Sequence, residues 1–218
     1  MISIIFPTLI TTDKQLSMSY NAMDCIKRYT TVPYELIVVE TQSSYFVEDS
    51  DIHIYEKNKC GTNKSLNKGF KLATGDYIMM LSNDVFVKPG YCEAMLECFK
   101  RYEDCIVSTT ACTQFNHFAM NKIEPGNWWG MFLIDGKWFR KVGFLDEGYM
   151  AEWSDTDLIM AMASEGKQMY RNFNVVVEHL VGQTEYSKTD HTKSFVEGRE
   201  RFINKWKNSG LPVFNTLI

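Results

Sequence analysis

The segment Leu81-Ser82-Asn83-Asp84-Val85 carries the sharpest chemical signal in the chain. A carboxylate there can ligate a hard divalent cation such as Mg²⁺ or Mn²⁺, and such ions commonly bridge to substrate phosphates. The segment follows an apolar run, Tyr77-Ile78-Met79-Met80, that reads as a buried strand. In an open α/β sheet, ligands bind at the carboxyl ends of the strands. Asp84 is therefore a candidate metal ligand in an enzyme that handles nucleotides. Ser, Asn and Asp also favour ordinary turns, so the triplet alone leaves both readings open.

Other residues stand at comparable places. Thr8 ends the first apolar run and shares the same sheet edge. His179 closes the run Val175-Val176-Val177-Glu178. Neutral imidazole coordinates Mn²⁺ and imidazolium pairs with phosphate, although a histidine ending a strand is often only structural. Asp155 and Asp157 begin a helical segment and point about 200° apart around it, so one of them at most faces a given substrate. An aspartate there is also a good helix cap. Trp128-Trp129-Gly130 offers aromatic faces for a sugar ring, with one of the two tryptophans read as core.

These residues need a scaffold, and the hydrophobic pattern supplies one. Ile2 to Phe6 reads as a buried strand stopped at Pro7. Lys14 to Tyr29 carries a helical stripe, and Tyr34 to Glu40 is a second buried strand. A short strand near Ile52 to Tyr55 precedes a helix from Thr62 to Ala73, which Gly75 stops. After the strand Asp76 to Leu81, Pro89 opens a helix to Arg101, and Ile106 to Ala111 is a further strand. The second half is less regular: Trp128 to Ile134 and Val175 to His179 read as strands, Asp155 to Glu165 and Asp190 to Lys207 as helices. The alternation predicts a mainly parallel central sheet flanked by helices, in one domain.

Composition limits the function. At 218 residues, with 45% hydrophobic and 23% charged residues, the chain suits one globular domain. A net charge of −4 argues against a nucleic-acid partner. Met1 to Ile10 lacks a basic start and a small-residue cleavage site, so it reads as a strand rather than a signal peptide. No apolar run approaches the ~20 residues of a transmembrane segment. The six cysteines contain no C-x-x-C pair, which argues against zinc and for reduced thiols in a cytoplasmic protein.

The order of these features resembles the GT-A fold of nucleotide-sugar glycosyltransferases, specifically family 2 and its rhamnosyltransferase-like members. Ser3-Ile4-Ile5-Phe6-Pro7-Thr8 is similar to the family's opening strand, and Glu35 to Ser43 to its second strand with an acidic end. Asn58 to Gly69 matches the Gly, Asn and Asn-x-Gly pattern before the metal strand, and Gly75 to Asp84 is the strongest match. Gly143-Phe144-Leu145-Asp146-Glu147 and Trp153 to Leu158 resemble the acceptor-side signature. The resemblance covers roughly residues 1 to 182. It implies a donor half (about 1–112) and an acceptor half with a closing helix (about 113–218).

The resemblance also implies roles. Pro7, Thr8, Glu40, Asn58, Lys64 and Asn83 approach the nucleotide-sugar donor, most often a UDP-sugar, and Glu40 faces its uracil or ribose. Glu40 also fits a water-exposed strand end, and Lys64 a solvated helix face. Asp84 and His179 hold Mn²⁺ or Mg²⁺. The family's acidic triplet is here Ser82-Asn83-Asp84, so one carboxylate shares the ion with the donor phosphates. The general base aligns with Asp155, with Ser154 replacing the family's Glu and with Glu152 and Asp157 as alternatives. The implied reaction inverts configuration on transfer to a glycan or other hydroxyl acceptor.

Two other functions compete: a non-catalytic nucleotide-sugar-binding module and a sugar nucleotidyltransferase. The second expects a Gly-rich phosphate loop after the first strand, and Pro7-Thr8-Leu9-Ile10 has no Gly. The same absence argues against a dinucleotide dehydrogenase.

Overall fold

The computed structural model describes residues 1–58, 60–113, 118–126, 130–150, 152–180 and 188–218. The first half runs β1 (Ile2–Thr8), α1 (Asp13–Tyr29), β2 (Tyr34–Thr41), β3 (Ile52–Glu56), α2 (Thr62–Leu72), β4 (Tyr77–Leu81), β5 (Val85–Phe86), α3 (Tyr91–Arg101) and β6 (Cys105–Cys112). The second runs β7 (Ile123–Pro125), β8 (Met131–Asp135), α4 (Gly136–Val142), α5 (Ser154–Ser164), β9 (Gln168–His179), α6 (Lys188–Trp206) and α7 (Phe214–Leu217).

One sheet runs in the order β3-β2-β1-β4-β8-β6-β9-β5, with β7 paired to β9. Strands β3, β2, β1 and β4 are all parallel, which aligns their carboxyl ends on one edge. Beyond them β8 is antiparallel to both β4 and β6, so the expected parallel order holds for these four strands and gives way to a mixed one.

Strand alternation divides the core between the two faces of the sheet. Ile4, Phe6, Met79 and Leu81 pack with Met23 and Ile26 of α1 and with Tyr91 and Met95 of α3. Ile5, Ile78 and Met80 pack with Leu66 and Phe70 of α2 and with Trp138 and Phe139 of α4. A separate cluster joins Tyr149, Met160 and Phe202, with Trp153, Trp206 and Phe214 against it. It docks α6 on α5.

The Asn67-Lys68-Gly69 pattern has a packing role. A Cβ at Gly69 would lie 2.8 Å from Val39 Cγ2 and 3.0 Å from Ile5 Cγ2, so glycine lets α2 sit against β1 and β2. The cysteines of the described residues are all free; Cys92, Cys98, Cys105 and Cys112 are buried, and Cys25 and Cys60 partly so.

Candidate active site

The parallel strand ends open into a cavity of about 590 Å³. Pro7 and Thr8 line it from β1, Val39 and Thr41 from β2, and Ser82, Asn83 and Asp84 from the turn after β4. Cys60, Gly61, Thr62 and Ser65 form the side at the start of α2. The far wall is Met150, Glu152 and four residues of α6: His191, Lys193, Ser194 and Glu197.

Asp84 and His179 meet because β5 and β9 pair. Val85 stands opposite His179 in that ladder, and the Leu180 N–H donates to the Asp84 carbonyl at 2.9 Å. This brings His179 Nε2 to 3.3 Å from Asp84 Oδ1, with both side chains 13% exposed. Burial alone would lower the His179 pKa, but hydrogen bonds to Asp84 and Cys112 and the Asp84 charge outweigh it, raising it to about 9. The neighbouring Asp84 thus favours the protonated imidazole, and a cation at this pair would compete with that proton.

The donor set fits a divalent cation. A carboxylate oxygen and an imidazole nitrogen face one cavity, a mixture that suits Mn²⁺. The Thr8 hydroxyl on the same lining is buried and without a hydrogen-bond partner among the described residues. Among the described residues no group of three or more His, Cys, Asp and Glu side chains gathers as a self-sufficient metal site.

Asn83 is buried and tied to α1, its Nδ2 donating to Ser19 Oγ at 2.9 Å. The Ser19 hydroxyl in turn donates to the Gln15 carbonyl. This relay anchors the turn that presents Asp84.

Several expected site residues lie elsewhere. Glu40 is fully buried and absent from the lining. Its Oε1 accepts the Val47 N–H at 2.9 Å and its Oε2 lies 3.0 Å from His53 Nε2. Sequence reading put Glu40 at the donor's base or ribose; here its two oxygens hold Val47 of the segment after β2 and His53 of β3. Asn58 and Lys64 are exposed and also outside the lining. Helical geometry aims Lys64 at solvent while Asn63 and Ser65 point inward.

The acceptor-side acids separate clearly. Asp157 is buried, accepting from Tyr149 Oη at 3.1 Å, Trp206 Nε1 at 2.7 Å and Lys205 Nζ at 2.8 Å. It is a tie between α5 and α6. Asp155 Oδ1 accepts the Thr156 N–H at 2.8 Å, and the residue lies outside the cavity lining. Glu152 lies within it. The chain turns there: Trp153 has a left-handed φ of 70° and caps α5 without a side-chain bond. That turn re-aims Glu152, and sequence periodicity carries no sign of it. Trp128 and Trp129 lie outside the described residues.

The α6 residues were not anticipated from sequence. His191, Ser194 and Gly198 recur at i, i+3 and i+7, a spacing that marks one helix face. That spacing was the available signal.

A cavity at the carboxyl ends of parallel strands, lined by an Asp–His pair, sits where open α/β sheets bind ligands, and the architecture around it is that of the GT-A fold. Residues 20–160 match the model described as Glycosyl transferase family 2, and the chain belongs to that family. The α6 wall and His179 lie outside the matched segment. No curated protein matches the chain. Among solved structures, Staphylococcus aureus TarS 1–349 aligns with a TM-score of 0.63 at 11% identity, over 95% of this chain and 73% of that one. GalNAc-T7 with UDP, GalNAc and Mn²⁺ aligns with a TM-score of 0.72 at 9% identity, over 95% of this chain and 48% of that one. Among the described residues no helix is long and apolar enough to cross a membrane.

Proposed function

We propose that the protein transfers a sugar, hexosyl or rhamnosyl, from a nucleoside-diphosphate donor to an acceptor hydroxyl with inversion, and that UDP is the carrier. The carrying observation is that the Asp84–His179 pair and Glu152 line one cavity. Family membership and a neighbour holding UDP, GalNAc and Mn²⁺ support the donor class.

Pro7, Thr8 and Asn83 bind the donor at the strand ends, and the half up to about residue 112 is the donor half. Asp84 and His179 hold a divalent cation, Mn²⁺ or Mg²⁺, together with the diphosphate. Such an ion neutralises charge developing on the leaving diphosphate without proton transfer. Glu152, which lines the same cavity, takes the acceptor's hydroxyl proton as general base. The acceptor oxygen bonds to the anomeric carbon, and the sugar–diphosphate bond breaks with its electron pair leaving on the diphosphate. Base and leaving group on opposite sides of the sugar give inversion. Glu152 takes this role in preference to the aligned Asp155 because it alone of the two lines the cavity.

The test is release of the nucleoside diphosphate, UDP from a panel of UDP-hexoses and dTDP from dTDP-rhamnose, with and without Mn²⁺. Mn²⁺-dependent release with one donor preferred supports the reading. Tight nucleotide binding with no release from any donor, whatever hydroxyl acceptor is added, leaves a binding module instead.

A further inference from the structure

Helix α6 touches the Glu152 turn along one stripe. His191 Nε2 lies 3.1 Å from Glu152 Oε1, an ion pair when the imidazole is protonated. One turn on, Ser194 Oγ accepts the Glu152 N–H at 3.5 Å. At the next turn, a Cβ on Gly198 would lie 3.0 Å from the Glu152 carbonyl oxygen and 3.0 Å from Trp153 Cδ1, so only glycine lets the helix approach this closely. Phe195 and Phe202 bracket the Trp153 ring at 5.4 and 5.2 Å. Residues 191, 194, 195, 198 and 202 fall on one face by their spacing. The helix thus grips the backbone of Glu152, the ring of its neighbour and its carboxylate.

We propose that His191 is a positioning residue for Glu152, orienting its carboxylate toward the acceptor hydroxyl. The proposal rests on the reading of Glu152 as base. Two observations support it. Both side chains line the cavity, so the contact is made at the reaction space and not behind it. The contact also engages Oε1 of the carboxylate, which leaves Oε2 without a contact from the ring. A Glu side chain has three rotatable torsions, and on a turn with a left-handed neighbour it has no helix or strand to align it. A contact from a ring carried on a packed helix restricts that freedom. Misplacing a reacting group by about 1 Å can cost ~10²-fold in rate, so the gain from such a contact is kinetic. The donor's binding groups lie on the sheet edge, away from this stripe.

The experiment compares His191→Ala, His191→Gln and Glu152→Gln with wild type in Mn²⁺-supported hydrolysis of UDP-glucose and UDP-GalNAc, where water replaces the acceptor. UDP affinity is measured by calorimetry on the same samples. His191→Ala should lower kcat about 10-fold or more, less than the loss of the base itself, ~10²–10⁴-fold, with UDP affinity unchanged. His191→Gln, which still offers an N–H, should recover part of that loss. Combining His191→Ala with Glu152→Gln should cost no more than Glu152→Gln alone, because an orienting group has nothing left to orient. Unchanged kcat in His191→Ala, or a loss seen in UDP affinity and not in kcat, overturns the positioning role. Full activity in Glu152→Gln overturns the reading of the base, and is distinguished by leaving wild-type hydrolysis intact.

Discussion

Asn67 and Leu145 pair through both ends of one amide: Asn67 Nδ2 donates to the Leu145 carbonyl at 2.8 Å, and its Oδ1 accepts the Leu145 N–H at 3.1 Å. A buried side chain here does what a neighbouring strand would do. It fixes the segment leading to Asp146 and Glu147 against α2, and the same Nδ2 also lies 3.1 Å from Glu147 Oε1.

Removing that amide strands two buried backbone groups. Asn67→Ala should therefore cost about 1–3 kcal/mol of stability, measured by urea denaturation. UDP affinity, compared at equal folded fraction, should hold, since Asn67 does not line the cavity.

Asp84→Asn tests the cation site. Even outer partners of metal ligands are worth about 10–100-fold in affinity, so losing the carboxylate should weaken Mn²⁺-supported UDP binding at least that much. Binding without Mn²⁺ should change little. His179→Ala should lower turnover and Mn²⁺ affinity together; a loss of melting temperature alone would return His179 to a structural role.

Glu152→Gln should lower turnover ~10²–10⁴-fold with donor binding nearly intact, while Asp155→Asn should stay near wild type. The reverse order in single-turnover rates would restore the role to Asp155. Proton NMR of the product linkage checks inversion.

Asp146 sets an acid limit on stability. Burial by itself would raise its pKa, but the Gly148 N–H, Arg201 and Lys205 hold it below the ordinary value. Arg201 Nη2 lies 2.8 Å and Lys205 Nζ 3.1 Å from its oxygens. A depressed pKa gives stability that is complete above the unfolded value and is lost as pH falls through the folded one. The window therefore lies below about pH 4. Asp146→Asn should lower the melting temperature at pH 7 and flatten its fall below about pH 4.

Much of this scaffold was legible as runs of apolar residues. Strands β1, β2 and β4 are buried on both faces, so their sequences stay apolar throughout and their ends mark Thr8 and Asp84. Strand β5 has two residues, too few to show a period, yet its pairing to β9 brings His179 to Asp84. The start of β9 was missed because Tyr170, Asn172 and Asn174 break the run that begins again at Val175. Pro89 suggested a helix start, but the helix waits until Tyr91, after Gly90 in the left-handed region. The surroundings of Glu40 and Glu152 were not legible for one reason. A side chain's direction at the end of an element depends on the next turn, and turns are set by contacts distant in sequence: Val47 and His53 for Glu40, α6 for Glu152.

The apolar cluster beneath α6, around Tyr149, Met160 and Phe202, is separate from the two that sandwich the sheet. Elements with their own small core open at lower free energy than the global transition. One wall of the cavity can therefore breathe while its floor stays folded. Amides of α6 should exchange with deuterium sooner than those of β1 and β4, and a bound acceptor that bridges wall and floor should slow them. Admission of the acceptor then becomes a local folding equilibrium, tuned by residues such as Phe214 that touch neither substrate.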